Sequence, residues 1–309
     1  MDVLLQQIIN GLILGSVYSM VALGYTMVYG ILQLINFAHG EVLMFGAMVA
    51  LSIISFLELV FPGIPGYLLL FFALITAIPA CAFLAATIER IAYRPLRKAP
   101  RLAPLITAIG ISIVLQTIAM IIWSPNPKVF PDLLPINTIK IFNAFISPKQ
   151  ILIILTATFS MILLMFFVLK TNFGRAMRAV SENPEMASLM GISVNKVISI
   201  TFMIGATLAA IAGVLVALNY NYVHFTMGFI LGLKAFTAAV LGGIGNLAGA
   251  VLGGLLLGLI ESLGGGYLGD LTGGFLGSHY QDVLSFIVLI IVLIIRPSGI
   301  LGERVSDRS

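Results

Sequence analysis

Three polar side chains that could do chemistry inside a membrane lie close together, at Asn36, His39 and Glu41. Apolar sequence flanks them on both sides, and a carboxylate or an imidazole in lipid is costly unless it is paired or hydrated. They could therefore line a cavity or brace a broken helix. The alternative is a short turn outside the membrane, in which the dipole of the next helix favours Glu41 near its start. A metal site is not expected, because no further His or Cys lies near these ligands.

A second polar interruption, rich in glycine, follows late in the chain. Its members are further candidates for a translocation pathway or a broken helix: Gly242, Gly243, Gly245 and Asn246. Similar interruptions in the two halves of a transporter suggest an internal repeat with the pathway at its interface. The stretch lacks the Gly-Lys-Ser/Thr ending of a nucleotide-binding loop, so we expect no ATP to bind here.

The segment 170–196 carries the signals of two short helices. Residues 175–182 can form the first. Asn183 as N-cap, Pro184 at the first helical position and an acid in the first turn predict the start of the second. Its apolar surface would fit a groove in a partner protein or the lipid interface. The residues that a partner would contact here are Glu185, Met186, Ala187, Leu189, Met190 and Gly191. We expect Gly191 to end the helix and the small Ala187 to let a partner approach closely.

Two further charged side chains, Lys234 and Glu261, lie in apolar segments. Both could be intramembrane. Long side chains near the ends of apolar helices usually reach out to the membrane interface, so we expect both to do so.

The composition assigns the chain to the membrane. Of its 309 residues 60% are apolar and 9% charged, against about a quarter charged in soluble domains. The net charge of +4 does not indicate nucleic-acid binding, because the basic residues lie in gaps between apolar runs. Cys81 is the single cysteine, so no intramolecular disulfide can form.

Apolar runs of the length of a transmembrane helix follow one another through the chain. The predicted spans are 8–29, 42–61, 67–87, 102–123, 151–169, 197–218, 248–263 and 283–295, with a short, glycine-rich ninth segment at 229–244 that could span or re-enter. We therefore predict one all-α polytopic membrane domain over 1–309, with about eight or nine transmembrane helices.

The basic residues predict the orientation. They concentrate in 90–101, 170–196 and the C-terminal tail, which should be cytoplasmic. Alternation then puts 124–150 and the N-terminus outside. This arrangement requires an odd number of crossings, so the ninth segment should cross.

Several motifs in order resemble one family. They are GYTMVYGILQLINFAHGEVLMFGA, ERIAYRPLR, GRAMRAVSENPEMASLMGIS, KAFTAAVLGGIGNLAGAVLGGLLLGLIES and RPSGILG. Together they resemble the branched-chain amino acid ABC permease family, and within it the LivH type. The resemblance covers nearly the whole chain, although the stretch 124–150 shows no matching motif.

The resemblance implies a non-enzymatic permease subunit in the bacterial inner membrane that imports leucine, isoleucine and valine. It implies four partners: a related permease of the LivM type, two cytoplasmic ATPases that bind ATP and Mg²⁺, and a periplasmic binding protein. It also implies that 185–191 docks on an ATPase. This chain itself is expected to hold no cofactor.

Other functions stay open at this point. Related permeases serve urea, short amides or other amino acids. An ion-coupled secondary transporter acting alone would need a clear set of intramembrane acids, for which only Glu41 and Glu261 are candidates. A purely structural membrane scaffold would leave the capped cytoplasmic helix without a purpose.

Overall fold

The protein is a bundle of long apolar helices. The computed structural model describes residues 2–97, 99–100, 102–135, 137–141, 144–273, 275 and 280–302. Its helices are α1 (Asp2–Leu32), α2 (His39–Val60), α3 (Gly66–Ile88), α4 (Arg94–Leu96), α5 (Leu102–Trp123), α6 (Pro148–Lys170), α7 (Asn172–Glu182), α8 (Pro184–Leu189), α9 (Val194–Tyr220), α10 (Met227–Gly242), α11 (Leu247–Leu271) and α12 (Gln281–Ile295). A π-helical turn (Glu89–Tyr93) joins α3 to α4.

The predicted all-α polytopic class is confirmed. Seven helices in the described ranges are long and apolar enough to cross a membrane, and α10 and α12 are shorter apolar helices. Together they give nine candidate crossings, the odd number that the charge distribution requires. Each predicted span falls on one of them. Which side of the membrane each connection faces remains a prediction.

Close contact between helix backbones fixes the packing of α1 against α11. A Cβ added to Gly15 would lie 2.8 Å from the Cα of Leu255, and a Cβ on Gly258 would overlap the backbone of Gly15. Small residues let helices in membranes approach this closely, which increases their van der Waals contact. The glycines in this part of α11 thus serve close packing against α1.

Helix α11 extends eight residues beyond its predicted end at 263, because the three glycines that follow remain helical. Gly264, Gly265 and Gly266 lie close to Leu284, Gln281 and Gln7 respectively. The packing of neighbouring elements overrides the low helix propensity of glycine here.

Two small antiparallel pairs of strands cover the end of the bundle that we predict to be outside. Strand β1 (Lys128–Val129) pairs with β4 (Tyr222–Val223), and β2 (Ile139–Ile141) pairs with β3 (Ala144–Ile146). Ser147 then caps α6 in a capping box with Gln150, which satisfies two backbone N–H groups at the helix start.

The π-helical turn at the C-terminal end of α3 contains a buried carboxylate. Glu89 has no exposed surface. It pairs with Arg97 and accepts a hydrogen bond from Ser199 in α9. Arg97 also donates to Asn195 over 2.7 Å. These contacts fasten the basic segment after α3 to the beginning of α9.

Candidate functional site

Asn36 organises the connection between α1 and α2. Its Oδ1 atom accepts hydrogen bonds from the backbone N–H of Ala38 over 3.1 Å and from the Tyr93 hydroxyl over 2.8 Å. Asn36 is 5% exposed. The connection 33–38 is therefore held inside the bundle by a side chain from the π-helical turn.

Glu41 lies in the first turn of α2 and is completely buried. Its Oε1 accepts hydrogen bonds from Ser112 over 3.0 Å and from Gln116 over 2.8 Å, both in α5. Its Oε2 has no hydrogen-bond partner. It lies against the start of α10, where a Cβ on Gly228 would be 2.9 Å away. One carboxylate thus joins α2, α5 and α10.

The ring of His39 fits between two neighbouring helices because each has a glycine at the point of contact. Its ring packs between Gly24 in α1 and Gly205 in α9, with the Tyr25 ring at a centroid distance of 4.8 Å. Nε2 has no hydrogen-bond partner. His39 is 3% exposed, so it acts through packing.

The structure therefore brings Asn36, His39 and Glu41 together as an internal brace. All three are buried at the meeting point of five helices and the π-helical turn, and Glu41 lies in the first turn of α2, as the alternative of a short turn also expected. A role of these residues in translocation stays a prediction.

The glycine-rich interruption 242–246 lies at the opposite end of α10. Gly243 and Gly245 have φ values of +107° and +99°, which favour glycine. Asn246 caps α11 through the Gly249 N–H and donates its amide to the Leu301 carbonyl over 2.9 Å. The connection is thus docked on the tail segment 299–302. Like 33–38, it links two helices. The role of both interruptions as pathway or broken-helix segments stays a prediction.

The predicted surface helix is α8, and its boundaries are confirmed. The Asn183 side chain accepts from the backbone N–H groups of Glu185 and Met186, each over 3.0 Å. Gly191 has a φ of +81°, and the N–H of Ile192 reaches back to the Ala187 carbonyl over 3.0 Å. This pattern ends a helix sharply.

The exposure of α8 divides its apolar residues into two groups. Met186, Leu189 and Met190 are 60%, 82% and 83% exposed, whereas Ala187 is 3% exposed. The expectation that Ala187 faces a partner is corrected, because it packs inside this chain. The free apolar surface of α8 is formed by the other three.

Lys234 and Glu261 do not reach out to the interface, which corrects that expectation. Lys234 Nζ lies 2.7 Å from Glu261 Oε1 and 2.7 Å from Asp282 Oδ1. The Tyr18 hydroxyl lies 3.0 and 3.1 Å from the two Glu261 oxygens. Lys234 and Glu261 are 8% and 2% exposed. This ionic cluster, buried except for the 42% exposed side chain of Asp282, ties α1, α10, α11 and α12 together.

The comparisons with known proteins agree on one family. The family described as "Branched-chain amino acid transport system / permease component" matches residues 7–293. The high-affinity branched-chain amino acid transport system permease protein BraD of Pseudomonas aeruginosa is 46% identical, over 97% of this chain and 96% of that protein. The corresponding protein LivH of Escherichia coli K12 is 44% identical over the same shares. A probable LivH permease of Methanocaldococcus jannaschii is 31% identical, over 95% of this chain and 91% of that protein.

Proposed function

The chain belongs to the branched-chain amino acid transport permease family, and from this we propose that it is the permease subunit of an ABC importer for branched-chain amino acids. The observation that carries the proposal is identity above 40% along nearly the full length of two such permeases. The nine apolar helices support the same role.

The proposed importer contains four further subunits. A related permease of the LivM type would pair with this chain, and a periplasmic binding protein would deliver the amino acid. Two cytoplasmic ATPases would bind ATP and Mg²⁺ and supply the energy. This chain would provide half of the pathway and the mechanical link to one ATPase.

Helix α8 is the proposed link. Its N-cap and its sharp exit make it a defined element that can transmit a displacement, whereas a loose loop cannot. Its exposed apolar side chains suit a groove of a partner, and burial of each could contribute about 1.5–3 kcal/mol. Helix α7 joins it to α6, and Met177 and Val180 of α7 are buried in the bundle.

The proposed mechanism is alternating access. Closure of the ATPases would displace α8 and the helices attached to it, and the pathway would open inward. The brace around Asn36 and Glu41 would keep the centre of the bundle intact while its surroundings move. Candidate pathway residues remain those of the two interruptions, Asn36, His39, Glu41 and 242–246.

The test is uptake of isotopic leucine by cells that contain all five subunits, in the presence of unlabelled competitors. Isoleucine and valine should reduce the uptake, and loss of either ATPase should abolish it. If urea or short amides compete and these amino acids do not, the proposed substrate class is wrong. Uptake that persists without the ATPases would contradict the transporter class.

The predicted sidedness has a separate test. Ser181, placed on α7, is changed to Cys in a chain whose Cys81 is replaced by Ala. An impermeant thiol reagent should label it in inside-out vesicles and leave it unlabelled in intact cells. Labelling in intact cells would contradict the cytoplasmic placement of 170–196.

A further inference from the structure

A cavity of about 560 Å³ lies between α1, α6, α7 and the start of α11. Its volume falls in the range of small-molecule sites, about 300–1,000 Å³. Most of its wall is apolar: Met27 and Ile31 from α1, Met165 and Val168 from α6, and Met177 from α7. The body of the cavity is thus suited to an aliphatic group.

One residue of this wall carries a buried polar atom that lacks a partner. Thr26 is 1% exposed and lines the cavity, and its hydroxyl has no hydrogen-bond partner. Hydroxyls in helices usually return to a carbonyl of the preceding turn, as Thr201 and Thr107 do here. A buried polar group without a partner costs free energy, so a ligand that supplies one gains affinity.

The rim of the cavity favours an anion. Arg178 lines it, is exposed, and uses one N–H on the Val168 carbonyl. Leu247 and Ala248 line the same rim in the first turn of α11. Backbone N–H groups in a first turn have no acceptor within their own helix, and the helix dipole adds positive potential there. A carboxylate at the rim would therefore meet a guanidinium and the N–H groups of Leu247 and Ala248, since Asn246 on the same rim already caps the Gly249 N–H.

We propose that this cavity binds an aliphatic amino acid from the cytoplasm, and that its occupancy slows further import. The branched side chain lies against the methionines, the carboxylate lies at Arg178, and the ammonium group donates to the Thr26 hydroxyl. This inference rests on the proposed function, because it assigns to the transported amino acid a second role as an inhibitor from the product side.

Because of where the cavity lies, a bound molecule would affect the coupling of ATP hydrolysis to transport. Its wall includes Met177, Arg178 and Ser181 of α7, and α7 leads through Asn183 directly into α8. An occupant fills the remaining space between α7, α1 and the start of α11, so α7 cannot move further into that space when α8 is displaced. Inhibition follows if the transport cycle requires that closure.

The variant that tests the cavity is Gly30→Leu. Gly30 lines the cavity, and a Cβ there has no atom within 4 Å. The Cβ of the new side chain meets no neighbour, and its remaining atoms would take up volume in the cavity. The matched control is Gly110→Leu in α5, where a Cβ also has no atom within 4 Å and the site is exposed outside the cavity.

The complex is reconstituted with the ATPases facing the bath and with binding protein and leucine enclosed in the vesicles. ATP hydrolysis is measured while leucine is added to the bath, and each rate is divided by the rate without bath leucine. Bath leucine should inhibit the unmodified complex and Gly110→Leu alike. In Gly30→Leu the half-inhibitory concentration should rise at least about tenfold, which corresponds to about 1.4 kcal/mol of binding free energy.

A second readout does not depend on activity. Ser181→Cys, in a Cys81→Ala background, is labelled with a maleimide at the rim of the cavity. Bath leucine should slow the labelling, and lysine at the same concentration should not, because its charged side chain does not suit the apolar body. Arg178→Gln should weaken the protection, whereas Arg175→Gln, on the same helix but outside the cavity wall, should not.

The proposal is overturned if leucine does not protect Ser181→Cys from the maleimide and if bath leucine inhibits ATP hydrolysis equally in Gly30→Leu and in the unmodified complex. Protection by added lipid in detergent, without protection by leucine, would overturn it in favour of an acyl chain with an anionic headgroup. If the unmodified complex does not transport leucine at all, the proposed function fails. Should Gly30→Leu fail to assemble, the labelling experiment decides alone.

Discussion

Removal of the Lys234 ammonium should destabilise the protein strongly. In Lys234→Met the side chain keeps its length and loses its charge. Glu261, whose side chain is 3% exposed, is then left with the Tyr18 hydroxyl as its remaining donor. Solvent can hydrate Asp282, whose side chain is 42% exposed, but it does not reach the buried Glu261 carboxylate.

The expected magnitude follows from the burial of the pair. Removing one partner of a buried ion pair costs about 3–5 kcal/mol, because an uncompensated charge stays behind. Replacing both charges can be nearly neutral. The double variant Lys234→Met, Glu261→Gln should therefore recover much of the loss, with a coupling energy of about 2–3 kcal/mol, in the upper part of the range for residues in contact.

A surface pair gives the matched control. Lys149 Nζ lies 3.4 Å from Asp132 Oδ1, with side-chain exposures of 27% and 41%. Exposed pairs contribute about 0–1 kcal/mol, so Asp132→Asn should change stability little.

The assay is heat denaturation of the detergent-solubilised protein, followed as loss of the monodisperse gel-filtration peak. The order of stability should be unmodified and Asp132→Asn highest, the double variant next, and Lys234→Met lowest. Lys234→Met as stable as the unmodified protein would refute the reasoning. So would a double variant that is no more stable than the single one.

Three further outcomes are expected. Leu189→Arg places a charge on α8 at a position that is 82% exposed, so it should reduce co-purification of the ATPases. If the ATPases are fully retained and hydrolysis stays fully coupled to uptake, α8 does not belong to the interface. Asn183→Ala should cost about 0.5–2 kcal/mol of helix stability and make α8 more sensitive to proteolysis in vesicles, and unchanged sensitivity would contradict the role of the cap. Gly258→Val should prevent folding, since its Cβ would overlap Gly15, whereas Gly110→Val should yield a normal gel-filtration peak; similar peaks from both would refute the close-packing argument.

The arrangement of helices along the chain could be predicted well, because lipid imposes a simple rule on sequence. An apolar run must be long enough to cross and must satisfy its backbone as a helix. For this reason α5 begins and ends at the predicted residues. The start and the end of α8 were predictable for a related reason, since caps are local and Asn183, Pro184 and Gly191 each act within a few residues.

What could not be predicted depends on contacts between distant residues. Lys234 and Glu261 are 27 positions apart, and no pattern in either helix indicates that they face each other. Ala187 presents the same difficulty. Spacing within α8 defines an apolar surface but not which part of it packs on its own chain. The extension of α11 through three glycines likewise depends on neighbours that local propensity does not include.

The distribution of contacts indicates which part of the bundle can move at the least cost. Along α1 and α11 the backbones touch, so sliding one helix past the other would force main-chain atoms together. The buried ionic cluster adds a second tie between the same two helices. Across the cavity, by contrast, α7 faces α1 and α11 with empty volume between them, and atoms lining a void have no partners there to lose. Since α7 is also the element that carries α8, this partly empty contact lies directly behind the exposed apolar surface of α8. A displacement of α8 would therefore be taken up first at the cavity, before it reaches the brace around Asn36 and Glu41.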